Sequence, residues 1–175
     1  MDRRYVLGID VGIRNLGICV FDFNCAKVVV WDNVPLVPAG GRYIPANNVQ
    51  YVRDFVKRFQ HYFDNAFRVV IERQMRVNMR IIEALLHSQF YDVCTVISAR
   101  AVKMHYGLSM QNYRANKQRA VEWADSFMSN NACAFADELD LSQYRKAGKR
   151  DDMADAMLLV MYYLDTYSTF LQSEE

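Results

Sequence analysis

Apolar residues fall into two rhythms along the chain. Residues 5–11 (YVLGIDV) and 16–23 (LGICVFDF) are rich in branched and aromatic side chains, and a Gly/Arg/Asn turn separates them. A third run, KVVVWD, follows at 27–32. These runs predict a hairpin that continues into an antiparallel meander. Residues 33–48 carry all three prolines and the Gly40–Gly41 pair, which predicts a loop. From 49 to 64 the rhythm changes: Val49, Val52, Phe55, Val56, Phe59 and Phe63 recur at helical spacing. A short apolar strand at 67–72 (FRVVIE) comes next, then a helix from Met79 to Tyr91 and a strand at 93–97 (CTVIS). Helices over 114–129 and 151–171 complete the pattern. This order predicts an α/β fold with a five-stranded mixed sheet, three strands antiparallel and then two parallel, and helices on both faces. No repeat or low-complexity tract interrupts the 175 residues, a length that suits a single domain over 1–175.

Composition narrows the classes. With 52% hydrophobic residues the chain can build a full core, which excludes a disordered linker. No apolar run reaches the roughly 18 residues a bilayer span needs. The N-terminal MDRRYVLGIDV runs straight into a core strand, so neither a secretion nor a transit segment is expected. The expected location is cytoplasmic, without membrane association. Cys19, Cys25, Cys94 and Cys133 show no CxxC spacing, which fits reduced thiols rather than a zinc site or disulfide framework. The net charge of +1, taken alone, argues against nucleic-acid binding. Setting aside four carboxylates committed to cations leaves 16 acidic residues against 21 basic ones, so the total decides nothing.

The candidate chemistry lies in carboxylates at costly positions. Asp10 sits inside an apolar strand, where Asp is rare and an ionised side chain needs a partner or a metal. It could instead bond backbone in the turn near Gly12. Glu72 ends VVIE, at the strand end where an α/β sheet exposes ligands, although a plain exit charge reads the same. In KRDDMADAMLLVMYYL, Asp151 or Asp152 could be a helix N-cap. Asp155 shares a helical face with Asp152, Leu159 and Tyr162, which points it coreward and calls for a partner. A divalent cation shared by Asp152 and Asp155 is the economical partner; Lys149 and Arg150 precede the first turn. Oxygen ligands without Cys or His select Mg²⁺ or Mn²⁺ over zinc. Two such ions roughly 4 Å apart can activate a water and stabilise the leaving oxygen of a phosphodiester.

On four stretches the chain resembles the RuvC-like Holliday junction resolvases of the ribonuclease H-like superfamily, in their poxvirus-type branch. These are GIDVGIRNLG at 8–17, VIERQMR at 70–76, NYRANKQRAVEWADSF at 112–127 and KRDDMADAMLLVMYYL at 149–164. The resemblance implies that Asp10, Glu72, Asp152 and Asp155 are the metal ligands of a nuclease that nicks four-way DNA junctions symmetrically. It gives Lys117 a catalytic supporting role near the scissile phosphate, where the residue alone reads as a solvated helix cation. Arg73, Arg114 and Arg119 join Lys117 as a DNA-binding edge. Lys103, Lys146, Lys149 and Arg150 could extend it. Bacterial members carry an aromatic wedge after the strand Glu; here Met75 stands at that distance and can serve as an apolar one. The resemblance also implies a homodimer, and a site of viral DNA replication as the alternative to a cytoplasmic location. The Met79–Tyr91 helix, with Ile82, Leu85 and Leu86, is the candidate interface unless the monomer core buries it.

Two rival readings follow from the same residues. GIDVGxxNxG also looks like the phosphate loop of sugar-kinase or actin-like ATPases, but those need two lobes, which 175 residues cannot supply. No nucleotide cofactor is therefore expected. Another ribonuclease H-like nuclease, acting on RNA–DNA hybrids or flaps, is the second rival.

Overall fold

A computed structural model describes residues 3–109 and 112–173, and the side chains of those residues except 113 and 168–173. The chain forms β1 (Tyr5–Asp10), β2 (Leu16–Asp22) and β3 (Lys27–Val34), then α1 (Asn48–Arg58) and α2 (Gln60–Asp64). Next come β4 (Ala66–Glu72), α3 (Val77–Gln89), β5 (Cys94–Ile97), α4 (Ala99–His105), α5 (Tyr113–Asn130), α6 (Leu141–Lys146) and α7 (Arg150–Ser173). The five strands make one sheet in the order β3-β2-β1-β4-β5. β1–β2 and β2–β3 are antiparallel, whereas β1–β4 and β4–β5 are parallel. The expected mixed sheet is therefore present, with its three-plus-two division.

Strand periodicity sorts the side chains onto two faces. Tyr5, Leu7, Ile9, Leu16, Ile18, Val69 and Ile71 pack against α1, α2 and α3 through Val52, Phe55, Phe63, Ile82 and Leu86. The alternate positions, Val6, Cys19 and Val70, pack against α4, α5 and α7. By the same alternation Gly8, Asp10, Gly17 and Glu72 all face α7.

That placement explains two glycines. A Cβ on Gly8 would lie 2.3 Å from the Ala156 carbonyl oxygen, and one on Gly17 would lie 2.1 Å from the Asp152 carbonyl oxygen. Hydrogen at these two positions lets the backbone of α7 rest on the sheet. α7 packs on β1 and β2 and also touches α5. Residues 153–160 are accordingly buried all round the helix, which accounts for its uniformly apolar sequence. The start of α7 is pinned from the side. The Trp31 indole N–H donates to the Met153 carbonyl at 2.8 Å, Tyr144 stacks on Trp31 at 4.1 Å, and the Arg150 guanidinium covers Tyr144 at 4.8 Å.

Three expectations need correction. The helix expected over 49–64 is broken at Phe59, whose φ of −112° and ψ of 23° let its ring turn inward onto Phe55. α4 and α6 form where the apolar pattern predicts no helix. Ile82 and Leu86, taken as interface residues, are fully buried in the core beneath α3, and Leu85 is half-buried against it. The exposed apolar residues of α3 are instead Val77 and Ile81. Among the described residues no helix is long and apolar enough to cross a membrane.

Candidate active site

The parallel register pairs Ile9 with Ile71, so Asp10 and Glu72 end adjacent strands side by side. Directly above them lies the first part of α7, where Gly17 meets the Asp152 backbone and where Asp152 and Asp155 are one helical turn apart. All four carboxylates line one open cleft of about 1100 Å³.

The carboxylates crowd one another. Burial, and after it the charges of Glu72, Asp155 and Asp152, pushes Asp10 well above the usual carboxylate range. Burial followed by Asp155 raises Glu72 to about 7. Asp152 is raised by burial and then by Asp151. Burial raises Asp155 as well, against an opposing pull from Lys103. Asp151 moves the other way: burial raises it, but Lys117, with a backbone hydrogen bond and Lys149, lowers it further. In all four facing carboxylates the largest cause is burial, and neighbouring carboxylates add to it.

Two lysines supply part of the compensation. Lys103, on α4, is buried with its ammonium 3.2 and 3.5 Å from the two oxygens of Asp155. Lys117, on α5, lies 3.6 Å from an Asp152 oxygen. Gln74 is buried behind Asp10 and donates its side-chain amide to the Asp10 carboxylate at 3.5 Å and to the Glu72 carbonyl at 3.2 Å.

Whether the site suits a divalent cation can be judged from its donors. Asp155 Oδ1 is buried and accepts no hydrogen bond of good geometry, the Lys103 ammonium at 3.2 Å pairing with it by charge alone, so it keeps a lone pair for a further cation. The facing donors are all hard oxygens, as Mg²⁺ or Mn²⁺ requires. Among the described residues, no three His, Cys, Asp or Glu side chains converge tightly enough to chelate an ion as they stand. Lys103 is paired with Asp155 and Lys117 with Asp152 instead. By donor chemistry, though not yet by convergence, the residues present fit such a cation.

The cleft also concentrates positive charge. Arg14, Arg73, Arg76, Arg100, Lys103, Lys117 and Lys149 line it, seven cations against the four carboxylates. Of the expected DNA-binding residues, Arg73 and Lys117 are in this wall. Arg114 and Arg119 are not: Arg114 is exposed in the first turn of α5, and Arg119 donates to the Gly107 carbonyl at 3.3 Å. Lys146 and Arg150 are turned elsewhere, onto Ser142 and onto Asp125 and Tyr144. Met75 stands on the cleft wall with 87% of its surface exposed. Sequence reasoning missed Arg14, Arg76 and Arg100, and it treated Lys103 as a surface cation.

A five-stranded mixed sheet with carboxylates at the ends of β1 and β4, and on the helix that crosses them, is the ribonuclease H-like architecture in its RuvC form. The chain belongs to the poxvirus A22 protein family, whose model matches residues 4–166. Among solved structures it is similar to the yeast mitochondrial Holliday junction resolvase Ydc2, with a TM-score of 0.68 and 19% identity over 94% of this chain and 85% of that one. It is also similar to the fowlpox virus resolvase, solved in complex with substrate Holliday junction DNA, with a TM-score of 0.65 and 17% identity over 93% and 98%. Thermus thermophilus RuvC, in complex with a Holliday junction substrate, follows with a TM-score of 0.51 and 15% identity over 93% and 96%. No curated protein sequence matches the chain.

Proposed function

We propose that this chain is a Holliday junction resolvase, a metal-dependent endodeoxyribonuclease that makes symmetric paired nicks in four-way DNA junctions. The observation that carries this reading is one cleft in which four charge-crowded carboxylates meet a wall of cations, in a chain of the poxvirus A22 family. The fowlpox resolvase and RuvC structures with junction DNA support the substrate class.

In this reading Asp10, Glu72, Asp152 and Asp155 hold Mg²⁺, with Mn²⁺ able to substitute. Bound there, divalent cations lower the pKa of a water nucleophile and stabilise the leaving oxygen of the phosphodiester. The chain's own residues do the rest. Lys117 presents positive charge to the scissile phosphate from the α5 side. Arg14, Arg73, Arg76, Arg100 and Lys149 hold the flanking phosphates, which fixes register without reading base sequence. Met75 projects as an apolar wedge against the bases next to the cut. Hydrolysis leaves a 5′-phosphate and a 3′-hydroxyl. Val77 and Ile81, exposed on α3, are the corrected candidate interface of a homodimer, which brings two sites to opposite strands of the junction.

A cleavage panel tests the reading. Four-way junction, flap, nicked duplex and RNA–DNA hybrid are each incubated with Mg²⁺ and with EDTA. Paired symmetric nicks in the junction, lost with EDTA and in Asp155→Asn, are the expected result. Preferential cutting of hybrid or flap would move the chain to another nuclease class, and wild-type cutting by Asp155→Asn would remove the assigned ligand set.

A further inference from the structure

Gln74 does not belong to the carboxylate set, yet it is one of the few buried polar residues, at 9% exposure. Its side chain reaches two acceptors at once, the Asp10 carboxylate at 3.5 Å and the Glu72 carbonyl at 3.2 Å. Two acceptors require two donors, so the NH₂ end of the amide faces the site, one hydrogen toward each. Its backbone N–H donates in turn to the Glu83 carboxylate on α3 at 2.6 Å. The residue is therefore held at its backbone by a helix of the opposite sheet face and, at its tip, touches the end of β1. On either side of it, Arg73 and then Met75 and Arg76 are exposed on the cleft wall.

We propose that Gln74 is a positioning residue for the Asp10 carboxylate. Its side-chain amide fixes which oxygen of Asp10 is turned toward the cation, and Glu83 anchors the Gln74 backbone from which that amide reaches. A ligating carboxylate that is free to rotate loses orientation each time it binds, and removing the outer hydrogen bond of a metal ligand typically lowers metal affinity about 10–100-fold. The short loop that carries Gln74 also carries the side chains that meet DNA. Asp10 is thus mechanically linked to the part of the protein that the substrate touches. This inference rests on the reading of Asp10 as a metal ligand.

The test uses the full chain and Mn²⁺ as the probe, with binding followed by calorimetry and by the Mn²⁺ EPR signal. Gln74→Met keeps the length of the side chain and removes the donor. Gln74→Asn keeps the amide but shortens its reach, and it guards against a folding failure of the first variant. Both are expected to bind Mn²⁺ about 10-fold or more weakly than wild type. Their junction affinity in EDTA and their melting temperature should stay close to wild type, and at saturating Mn²⁺ most of the cleavage rate should return. A purely structural role would instead lower the melting temperature and leave Mn²⁺ affinity in the folded fraction unchanged. Wild-type Mn²⁺ affinity in either folded variant overturns the proposal. Asp10→Asn separates the two failures. If it abolishes Mn²⁺ binding while the Gln74 variants bind normally, only the positioning role falls; if it binds normally, the ligand reading itself falls.

Discussion

Substituting Gly17 by Ala tests how the sheet seats α7. The added Cβ would lie 2.1 Å from the Asp152 carbonyl oxygen, 2.7 Å from its carbonyl carbon and 3.2 Å from the Ala156 Cβ. The first two are backbone atoms of a helix that is buried on every side just beyond them, so no flexible tip can yield. Restoring even a 3.0 Å contact requires α7 to withdraw by about 0.9 Å. Overpacking of this kind costs about 1–3 kcal/mol. In a domain of this size that corresponds to a melting temperature lower by roughly 2–12 °C. The same shift moves Asp152 and Asp155 relative to Asp10 and Glu72, and misplacement of reacting groups by about 1 Å can cost on the order of 100-fold in rate. Thermal unfolding in EDTA and Mg²⁺-dependent junction cleavage read the two effects. Gly148→Ala, where a Cβ meets nothing within 4 Å, is the matched control. If Gly17→Ala melts and cleaves like wild type, α7 does not rest on the sheet as described.

Other perturbations probe the charges and the outer face. Lys103→Met removes the ammonium from a buried Asp155 and should destabilise the EDTA-treated protein by about 1.5–3 kcal/mol. Calorimetry should then find a larger Mg²⁺-induced rise in melting temperature than in wild type, because the cation replaces the lost partner. Burial followed by Asp155 raises Glu72 from an ordinary 4.5 to about 7 in the folded chain. The native state therefore binds more protons than the unfolded one across that interval, and metal-free stability falls as pH rises through it. Urea titrations at about pH 5 and about pH 8 in EDTA check the sign, and saturating Mg²⁺ should flatten the dependence. On α3, Ile81→Glu should leave the melting temperature near wild type and shift sedimentation toward monomer. Ile82→Ala, from the core, should cost about 2–5 kcal/mol whatever the oligomeric state.

What the sequence revealed, and what it hid, follows from where each residue gets its meaning. Asp10 and Glu72 stand out because a charge in an apolar strand is conspicuous without any partner in view, and Asp155 because it breaks a buried helical stripe. The strands themselves were legible for the same reason, as unbroken apolar runs. Lys103 has no such signature. It lies on α4, a helix of seven residues that is too short to be stable alone and forms only when Val102 is covered by the core. α6 is shorter still and depends on the stacking of Tyr144 upon Trp31. Gln74 was visible within the motif ERQ, but its role depends on two acceptors that come together only when β4 pairs with β1. On α3 the sequence predicts a helix only from Met79, with Ile81, Ile82, Leu85 and Leu86 apolar, whereas the helix starts at Val77 and buries Ile82 and Leu86 while Ile81 stays exposed. Which of these apolar residues faces inward is decided by the sheet and not by the helix. Arg14, Arg76 and Arg100 are ordinary surface cations until the cleft gathers them.

The packing of α7 on β1 and β2 through Gly8 and Gly17 also sets a timetable. Asp10 and Glu72 are made early and can meet as soon as β4 joins β1, yet Asp152 and Asp155 arrive on an element that follows every other one described here in chain order. A ribosome-bound chain that ends before Arg150 can hold a nearly complete sheet, with Val6, Cys19 and Val70 uncovered on the face that α7 will occupy. Such a nascent chain is exposed to aggregation and chaperone capture, and it has only half of its carboxylates. The contact that completes it spans almost the whole sequence, the kind of long-range closure that is slow to form. On the proposed ligand set, the second pair of carboxylates comes only with α7, so cutting of nucleic acid is expected only after that helix has been made and has docked.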